Sequence, residues 1–453
     1  MERRLALLVA AAYFMEILDG TVIAPAAPAI AAELGVAAVD VNVAITAYAL
    51  TLGVLIPVSG WLARRYGVRP IFLTALLVFT VASAGCALAP GLGSLTATRV
   101  LQGMGGALMV PVGRLMILRT TPKSDLVRAI AYLTWPALLA PVVAPLVGGA
   151  LAEYASWRWI FLINVPLGVV ALLVAVRLVP SLASSERPGP LDRVGFLLTA
   201  AGVAGLVVAA EGLRSGFGPV VAVSLVVSVL GLTAAVRHLL RVRDPLVDLR
   251  TLRVRTFRTT AVSGAGYRAL ITAIPFLLPL FFQIGFGWSA TEAGLALMAL
   301  FAGNVGIKPA TGWLMRRFGI RTVLLASIVV GVVCLVGMAF LTPSLPLLVV
   351  LFVSGVARST GFTAYNSVAF ADVGAGDLNH ANTLLSTLHE LGTGLGVAVA
   401  ALLVRLGGVV VEGSSGPFRL AFVLLAVLMV VPGVDAVFLP RAAGDQVTGR
   451  VPG

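Results

Sequence analysis

The sequence predicts an all-α membrane protein with fourteen transmembrane helices. Of its 453 residues, 59% are hydrophobic and only 11% are charged, and the mean hydropathy is +1.04. A soluble globular domain carries about 25% charged residues, so this chain cannot cover its surface with polar groups and must be solvated by lipid. Its apolar residues also fall into runs of about 20, the length that an α-helix needs to cross the hydrocarbon core of a bilayer.

Fourteen such runs follow one another with short connections. Because Arg3 and Arg4 precede the first run, it could also be interpreted as a signal peptide. Glu16 and Asp19 argue against that interpretation, since they interrupt what should be an uncharged core. In order, the runs cover residues 5–30, 42–62, 71–90, 94–117, 126–151, 159–179, 194–212, 218–240, 259–283, 292–313, 322–341, 347–369, 381–404 and 418–440.

The basic residues predict the orientation of these spans. If the N-terminus is cytoplasmic, 24 of the 32 Lys and Arg residues lie on the cytoplasmic side and four lie outside. The remaining four, Arg99, Arg268, Lys308 and Arg358, fall within predicted spans. Because cytoplasmic loops collect Lys and Arg, both termini are predicted in the cytoplasm, and the net charge of +13 needs no nucleic acid to explain it. Twelve spans would keep the same parity but leave two apolar runs within 194–240 unexplained.

An internal repeat predicts how the spans are organised. The segment Gly60–Arg69 recurs as Gly312–Arg321, with seven of ten positions identical and an offset of 252 residues. In both copies another glycine follows 43 residues after the first one, at Gly103 and Gly355. The offset pairs span 2 with span 10, so spans 1–6 match spans 9–14, and spans 7 and 8 are an inserted pair.

Two parallel six-helix halves are an architecture of secondary transporters, in which the substrate path lies between the halves. The sequence therefore predicts three parts. They are an N-terminal six-helix bundle (1–180), a segment of cytoplasmic loops with two inserted transmembrane helices (181–258), and a C-terminal six-helix bundle (259–453).

Motifs in five segments occur in an order and at spacings typical of one family. They are Leu18–Ile23 in span 1, Gly60–Arg69 between spans 2 and 3, Arg99–Gly103 in span 4, Trp157–Gly168 at the entry to span 6 and Pro279–Gln283 in span 9. Together they resemble the major facilitator superfamily, and within it the fourteen-span drug:proton antiporters of the EmrB/QacA type. Spans 4 and 13 continue as Met109–Arg114 and Ala381–Ser386, which is similar to a multidrug-resistance subgroup from bacterial inner membranes.

The resemblance implies a transporter and not an enzyme. It implies proton-coupled efflux of amphipathic drugs or related small molecules by alternating access, with the proton gradient as energy source and no cofactor. The alternative is a dedicated exporter of a metabolite, an anion or a metal chelate on the same fold. A membrane sensor or enzyme that does not transport is a third hypothesis, but the sequence lacks the nucleophile or metal cluster at a membrane face that would mark it.

The expected partners are the small-molecule substrate, protons and membrane lipid. The loop between spans 8 and 9 carries seven Arg residues, which favours anionic headgroups at the cytoplasmic face. Trp157 and Trp159 are expected to anchor the protein at the membrane interface. We expect a monomer in the bacterial cytoplasmic (inner) membrane, with no bound metal and no nucleic acid.

The resemblance also assigns mechanical roles to two segments. The residues expected to form the signature loops and to act in gating are Gly60, Arg64, Arg65, Gly67 and Arg69 in the first copy and Gly312, Arg316, Arg317 and Gly319 in the second. The family normally has an acidic residue at the place of Arg64. In span 5, the hinge and packing contacts are expected at Pro141, Pro145, Gly148 and Gly149.

Charged side chains inside spans are the candidates for transport chemistry, because an ion at the centre of a bilayer costs about 3 kcal/mol. Glu16 and Asp19 are three residues apart and share one face of span 1, so they could hold a proton. Alternatively, Glu16 faces a wet cavity and Asp19 bonds to backbone freed near Pro25. For Arg99 the resemblance implies a role in proton coupling with Asp19 as its partner, and a structural ion pair is the alternative.

The C-terminal half offers Arg268 in span 9 and Glu390 in span 13 as further candidates. Glu390 stands beside His389, which suits proton relay, although a polar pair facing a water-filled cavity is the alternative. The pair does not form a zinc motif, since the second histidine of H-E-x-x-H is missing. Arg268 is equally compatible with a functional and a structural role. Lys308 and Arg358 have long stems, and we expect them to reach toward the cytoplasm as structural residues.

Overall fold

The structure, a computed structural model, describes residues 2–120, 126–180, 190–212, 218–242, 245–340, 342, 344–369, 372–373 and 378–440. Within these ranges every regular element is a helix and no strand occurs, which confirms the predicted all-α class. The chain divides into two compact units, Met1–Asp248 and Leu249–Gly453. The division into three parts at residues 180 and 258 stays a prediction.

The described part of the chain contains sixteen α-helices, nine in the first unit and seven in the second. The first unit contains α1 (Glu2–Leu34), α2 (Asn42–Tyr66), α3 (Val68–Ala87), α4 (Leu92–Thr120), α5 (Leu126–Tyr154), α6 (Trp159–Leu162), α7 (Asn164–Leu178), α8 (Arg193–Gly212) and α9 (Pro219–Arg241). The second contains α10 (Arg255–Leu280), α11 (Ala290–Gly306), α12 (Lys308–Phe318), α13 (Ile320–Phe340), α14 (Leu345–Ala369), α15 (Leu378–Val410) and α16 (Gly416–Val437).

Each of the fourteen predicted runs falls largely on one helix or on two successive helices. Among the described residues, eleven helices are long and apolar enough to cross a membrane, and the pair α11 and α12 adds a twelfth if it is one bent span. Shorter apolar stretches, Leu139–Tyr154 in α5 and Arg193–Leu206 in α8, match two further runs. The chain is therefore a multi-pass membrane protein, and the exact number of fourteen spans stays a prediction.

The repeat seen in the sequence reappears in the helix packing of each unit. In the first unit α1 packs on α5, α2 and α3 pack on α4, and α3 packs on α7. In the second unit the equivalent helices make the same pairs, namely α10 with α15, α11 and α13 with α14, and α13 with α16. The six-helix packing pattern is therefore present twice, which is what an offset of eight spans predicts.

Glycines at equivalent positions permit close helix contacts in both units. A Cβ atom on Gly103 of α4 would lie 2.9 Å from the carbonyl oxygen of Tyr48 in α2. A Cβ atom on Gly355 of α14 would lie 1.8 Å from the carbonyl oxygen of Leu300 in α11. Small residues let membrane helices approach to backbone contact, so the sequence repeat encodes a repeated helix crossing.

The two units differ at the equivalent prolines, Pro57 and Pro309. Helix α2 continues through Pro57, whereas α11 and α12 meet at a 50° bend beside Pro309. Proline removes a backbone donor and clashes with the preceding turn, which explains why a bend can form there. Lys308, the first residue of α12, lies directly at this bend.

The inserted helices α8 and α9 pack against each other, and α8 also contacts α2. The carboxylate of Asp192 connects the two helices at one end of this hairpin. It accepts a hydrogen bond from the backbone N–H of Gly195 (2.8 Å) and lies 2.8 Å from His238 Nε2. The backbone N–H of Leu246 donates to the same side chain over 3.2 Å. Asp192 thus joins the start of α8, the end of α9 and the chain beyond it.

Candidate functional site

The carboxylate of Asp19 on α1 is a charged group in the first unit that is fully shielded from solvent. Arg99 of α4 forms an ion pair with its Oδ2 atom. The Oδ1 atom accepts two hydrogen bonds of 2.8 Å, from Gln102 Nε2 on α4 and from Asn164 Nδ2 on α7. One carboxylate therefore connects three helices.

Arg99 is as buried as its partner. Its Nη1 atom donates to Gln102 Oε1 over 2.7 Å in addition to Asp19, and its guanidinium lies 4.0 Å from the centre of the Tyr48 ring. Its Nε and Nη2 atoms have no hydrogen-bond partner among the residues that the structure describes. A buried ion pair is stable only while both charges are present, because removing one leaves the other uncompensated in a low-dielectric interior.

Local sequence explains how the ion pair is held. Arg99 and Gln102 are three residues apart and so share one face of α4. Gln102 is fixed in turn by a 2.8 Å hydrogen bond to Ser83 Oγ on α3. Glu16, one turn before Asp19, is half-buried, and its Cγ atom lies close to Gly106 of α4.

Sequence reasoning assigned no role to Gln102, Asn164 or Ser83. Each is a neutral polar side chain within an apolar run and is fully buried in the structure. That contrast was the available signal, since a buried polar group needs a partner. Their partners lie on other helices, however, and the sequence does not say which helix faces which.

A second group of charges lies in the second unit, around Arg268 of α10. Its Nε atom donates to Thr393 Oγ1 on α15 over 3.0 Å, and its guanidinium lies 4.9 Å from the centre of the Phe362 ring on α14. The ring of His389 lies 5.0 Å from the same phenyl ring. Glu390 is half-buried on α15, and the charge of Arg268 acts on it directly.

Two cations that were expected to reach the cytoplasm belong to this second group. Arg358 on α14 is only 8% exposed, so it does not extend to the surface. Lys308 is half-buried and donates from Nζ to Thr363 Oγ1 over 3.3 Å. The expectation was wrong for Arg358, because neighbouring helices bury its long side chain, and it stays a prediction for Lys308.

The two signature loops have the same local geometry. Gly67 follows the end of α2 with a backbone φ of 92°, and Gly319 follows the end of α12 with a φ of 81°. Residues other than glycine rarely adopt these positive φ angles. Arg69 donates to the carbonyl of Val176 over 2.7 Å. Arg321 makes the equivalent bond, 2.6 Å long, to a carbonyl at the end of α16. In both units this arginine ties the third span to the end of the sixth.

The other residues of the signature loops lie mainly at the surface. Gly60 is half-buried and Gly312 is exposed. Exposed side chains follow at Arg64, Arg65, Arg316 and Arg317. Their part in gating stays a prediction.

The proposed hinge in span 5 lies inside one continuous helix. Helix α5 passes through both Pro141 and Pro145. Pro145, Gly148 and Gly149 are buried, and a Cβ atom on Gly148 would lie 2.2 Å from the carbonyl oxygen of Val22 in α1. Gly148 therefore supports close packing between α1 and α5, and hinge motion stays a prediction.

Of the two expected interfacial tryptophans, only Trp159 is exposed, at 52%. Trp157 is 2% exposed, and its Nε1 atom donates to Glu33 Oε2 over 2.6 Å. Arg158 forms an ion pair with the same carboxylate and donates to the carbonyl of Ala89 over 3.3 Å. The expectation for Trp157 was wrong, because its ring nitrogen found a partner at the end of α1 and so stabilises protein contacts instead of facing lipid.

Repeated helix packing in an apolar chain, with charges buried inside each repeat, defines a membrane transporter. A family model described as Major Facilitator Superfamily matches residues 9–245 and 256–450. The chain belongs to this superfamily of transporters.

Similar proteins agree with this assignment. A relative from Escherichia coli O6:H1 (strain CFT073), named "Putative multidrug resistance protein MdtD", is 38% identical over 410 residues, covering 88% of this chain and 86% of the relative. The protein of the same name from Escherichia fergusonii is 36% identical over 450 residues, covering 97% and 94%.

Solved structures share the fold at low sequence identity. A bacterial homolog of the human lysosomal transporter Spinster, in an inward-facing and unoccupied conformation, has a TM-score of 0.68 and 18% identity, covering 100% of this chain and 98% of the other. The nucleoside transporter NupG also has a TM-score of 0.68, with 12% identity and coverage of 96% and 98%.

Proposed function

We propose that this protein is a secondary active exporter that uses the proton gradient to remove amphipathic small molecules, including drugs, from a bacterial cell. Membership of the superfamily and relatives named for multidrug resistance support the efflux reaction. The proposal includes fourteen spans with both termini in the cytoplasm, a monomer in the inner membrane, contact of the cytoplasmic face with anionic lipid, and no cofactor.

The observation that carries proton coupling is the Asp19 network. A proton on Asp19 replaces an ion pair by a neutral carboxyl and leaves Arg99 as an uncompensated buried cation, at a cost of about 3–5 kcal/mol. Because the carboxylate joins α1, α4 and α7, the protonated state favours a different arrangement of these helices. A ligand or proton shifts a conformational equilibrium by its differential affinity for the two states, so protonation can drive alternating access.

Glu16 and Glu390 are the additional proton-binding candidates, and Arg268 is a candidate for substrate binding. A proton entering from outside and binding at Asp19 or Glu16 would release a substrate that was taken up from the cytoplasm or the inner leaflet. The signature loops and the glycines and prolines of α5 would then accommodate the change of state.

The test is an accumulation screen in an efflux-deficient bacterium. Expression should lower the accumulation of at least one amphipathic compound, and collapse of the proton gradient should restore it. Asp19→Asn should abolish this export. Glu33→Gln is the matched control, because Glu33 is also paired with an arginine but its side chain is 49% exposed, and it should export normally.

Export that survives in the triple variant Glu16→Gln, Asp19→Asn, Glu390→Gln at the wild-type rate would disprove the proposed coupling. The alternative, a dedicated exporter of a metabolite, an anion or a metal chelate, predicts export of such a compound and of no cationic drug. Proton release from proteoliposomes on addition of cationic and of anionic compounds separates the two.

A further inference from the structure

In the second unit Arg268 lies near two further cations and one carboxylate. The charge of Arg268 acts directly on Lys308, Arg358 and Glu390. While Glu390 is ionised, these four groups together carry two positive charges. An excess of charge in a poorly solvated environment is unfavourable unless a counter-ion compensates it.

Arg358 shows the shortage of partners most clearly. It is 8% exposed, and its Nε and Nη1 atoms have no hydrogen-bond partner among the described residues. Its guanidinium lies 5.8 Å from the centre of the Phe301 ring. Buried guanidinium groups are normally bonded to carboxylates or carbonyls, so this one is arranged for an acceptor that the described part of the chain does not supply.

Arg268 and Lys308 remain accessible to a ligand. Both are half-buried, and among the described residues Arg268 donates to Thr393 and Lys308 donates to Thr363. Because Arg268 uses Nε for this bond, its two terminal nitrogens can donate to a further acceptor. Guanidinium groups present paired donors that match the two oxygens of a carboxylate.

An aromatic surface lies beside these donors. Phe362 is half-buried between the guanidinium of Arg268 and the ring of His389, at 4.9 Å and 5.0 Å. A phenyl face next to a cluster of cations fits a molecule with a negatively charged head and an apolar body.

We propose that this cluster binds the carboxylate of an amphipathic organic anion, with Arg268, Lys308 and Arg358 around the head and Phe362 against the apolar part. The proposal rests on the proposed export function and names one class of its substrates. Glu390 then competes with the ligand for Arg268, since both are carboxylates. Removing the charge of Glu390 should therefore strengthen anion binding, whereas a site for cations would be weakened by the same change.

The experiment measures binding to the full-length protein in lipid nanodiscs by calorimetry, with empty nanodiscs as background. The probes are matched pairs that differ only in the charged head: benzoate and benzylammonium, phenylbutyrate and phenylbutylammonium, decanoate and decylammonium. The anion of at least one pair should bind and its cation should not. Arg358→Gln and Arg268→Gln should each weaken that binding about tenfold or more, as expected for hydrogen bonds to a charged group.

Glu390→Gln should tighten anion binding. A variant that fails to fold would lose binding, so misfolding cannot produce this expected gain. Arg253→Gln is the control, because it removes an exposed arginine of the same unit outside the cluster and should bind as the wild type does. Binding of the ammonium probes alone, or weaker anion binding in Glu390→Gln, would overturn the proposal.

Two further outcomes are distinguished. If chloride binds and none of the carboxylate probes does, the cluster is a site for inorganic anions, and the proposal of an organic ligand is refuted. Cellular export of cationic drugs without any anion binding would refute this inference and leave the proposed export function standing. Anion binding without any export would support the anion site and refute the proposed export function.

Discussion

Gln102 stabilises both members of the buried ion pair in the first unit. Its amide nitrogen donates to Asp19 and to Ser83, and its amide oxygen accepts from Arg99. A glutamine can do this because its side chain carries a donor and an acceptor. The Gln102 side chain thus bonds to both charged groups and also connects them to Ser83 on α3.

Replacement of this residue by an apolar one of similar size, Gln102→Leu, should lower the free energy of unfolding by about 1–3 kcal/mol, because several buried polar groups lose a partner at once. The measurement is unfolding of the purified protein in detergent. Thr199→Val is a suitable control, since among the described residues the Thr199 hydroxyl bonds within its own helix, to the carbonyl of Gly195. Equal stability of Gln102→Leu and the wild type would mean that the amide contributes nothing to holding the pair.

Arg358 and Trp157 show the limit of inference from single residues. Each was assigned to an interface with water or headgroups from its side-chain type, and each is buried in the structure. The type of a side chain indicates which partners it prefers. Whether another helix supplies those partners depends on contacts between residues far apart in sequence, and these are decided by the fold.

At the scale of elements, the hairpin of α8 and α9 depends on Asp192. Its side chain is 4% exposed. Burial by itself raises the pKa of Asp192, but hydrogen bonds from Gly195, His238 and Leu246 outweigh it and hold the pKa below the ordinary value of 3.8. The ionised carboxylate is therefore the form that the folded hairpin favours.

The sign of the pH effect follows from this lowered pKa. The stabilisation is complete above the ordinary value and is lost as the pH falls through the lower pKa of the folded state. Asp192→Asn should be less stable than the wild type by about 1 kcal/mol near neutral pH, since bonds to a charged acceptor exceed those to a neutral one. Unfolding measured from neutral pH to about pH 3 should show this difference shrink only below about pH 4.

The control for this prediction is His238→Gln, which keeps the two backbone donors to Asp192. The acid-dependent loss of stability should persist in it. A difference between Asp192→Asn and the wild type that already disappears well above pH 4 would contradict the assignment of the effect to the carboxylate of Asp192.

The helix packing was the part of the fold that could be predicted best. The repeat at Gly60–Arg69 and Gly312–Arg321 predicted that helices of the two units pair in the same way, and the structure confirms it. The repeat could not predict the bend between α11 and α12, because the equivalent proline lies within one continuous helix in the first unit. A proline permits a bend, and the surrounding helices determine whether one forms.

For the whole molecule, the distribution of Lys and Arg predicts that both termini are cytoplasmic. Tags at the N-terminus and at the C-terminus should both be protected from a membrane-impermeant label added to intact spheroplasts, and both should react after lysis. A tag in the loop between α5 and α6, which the same rule places outside, is the control and should react before lysis. Termini on opposite sides would exclude an even number of spans.

The sequence by itself determined that this chain is a helical membrane protein with an internal repeat. It showed the resemblance to the superfamily to which the chain belongs. It also named Asp19 and Arg99, because charges are costly in a membrane and therefore conspicuous. Only the tertiary structure decided that Gln102 and Asn164 complete their network and that the Nε and Nη1 atoms of Arg358 have no hydrogen-bond partner among the described residues. Composition and periodicity report the solvent around each helix, whereas partners across helices depend on how the helices pack, and neutral polar residues give too weak a signal to reveal them.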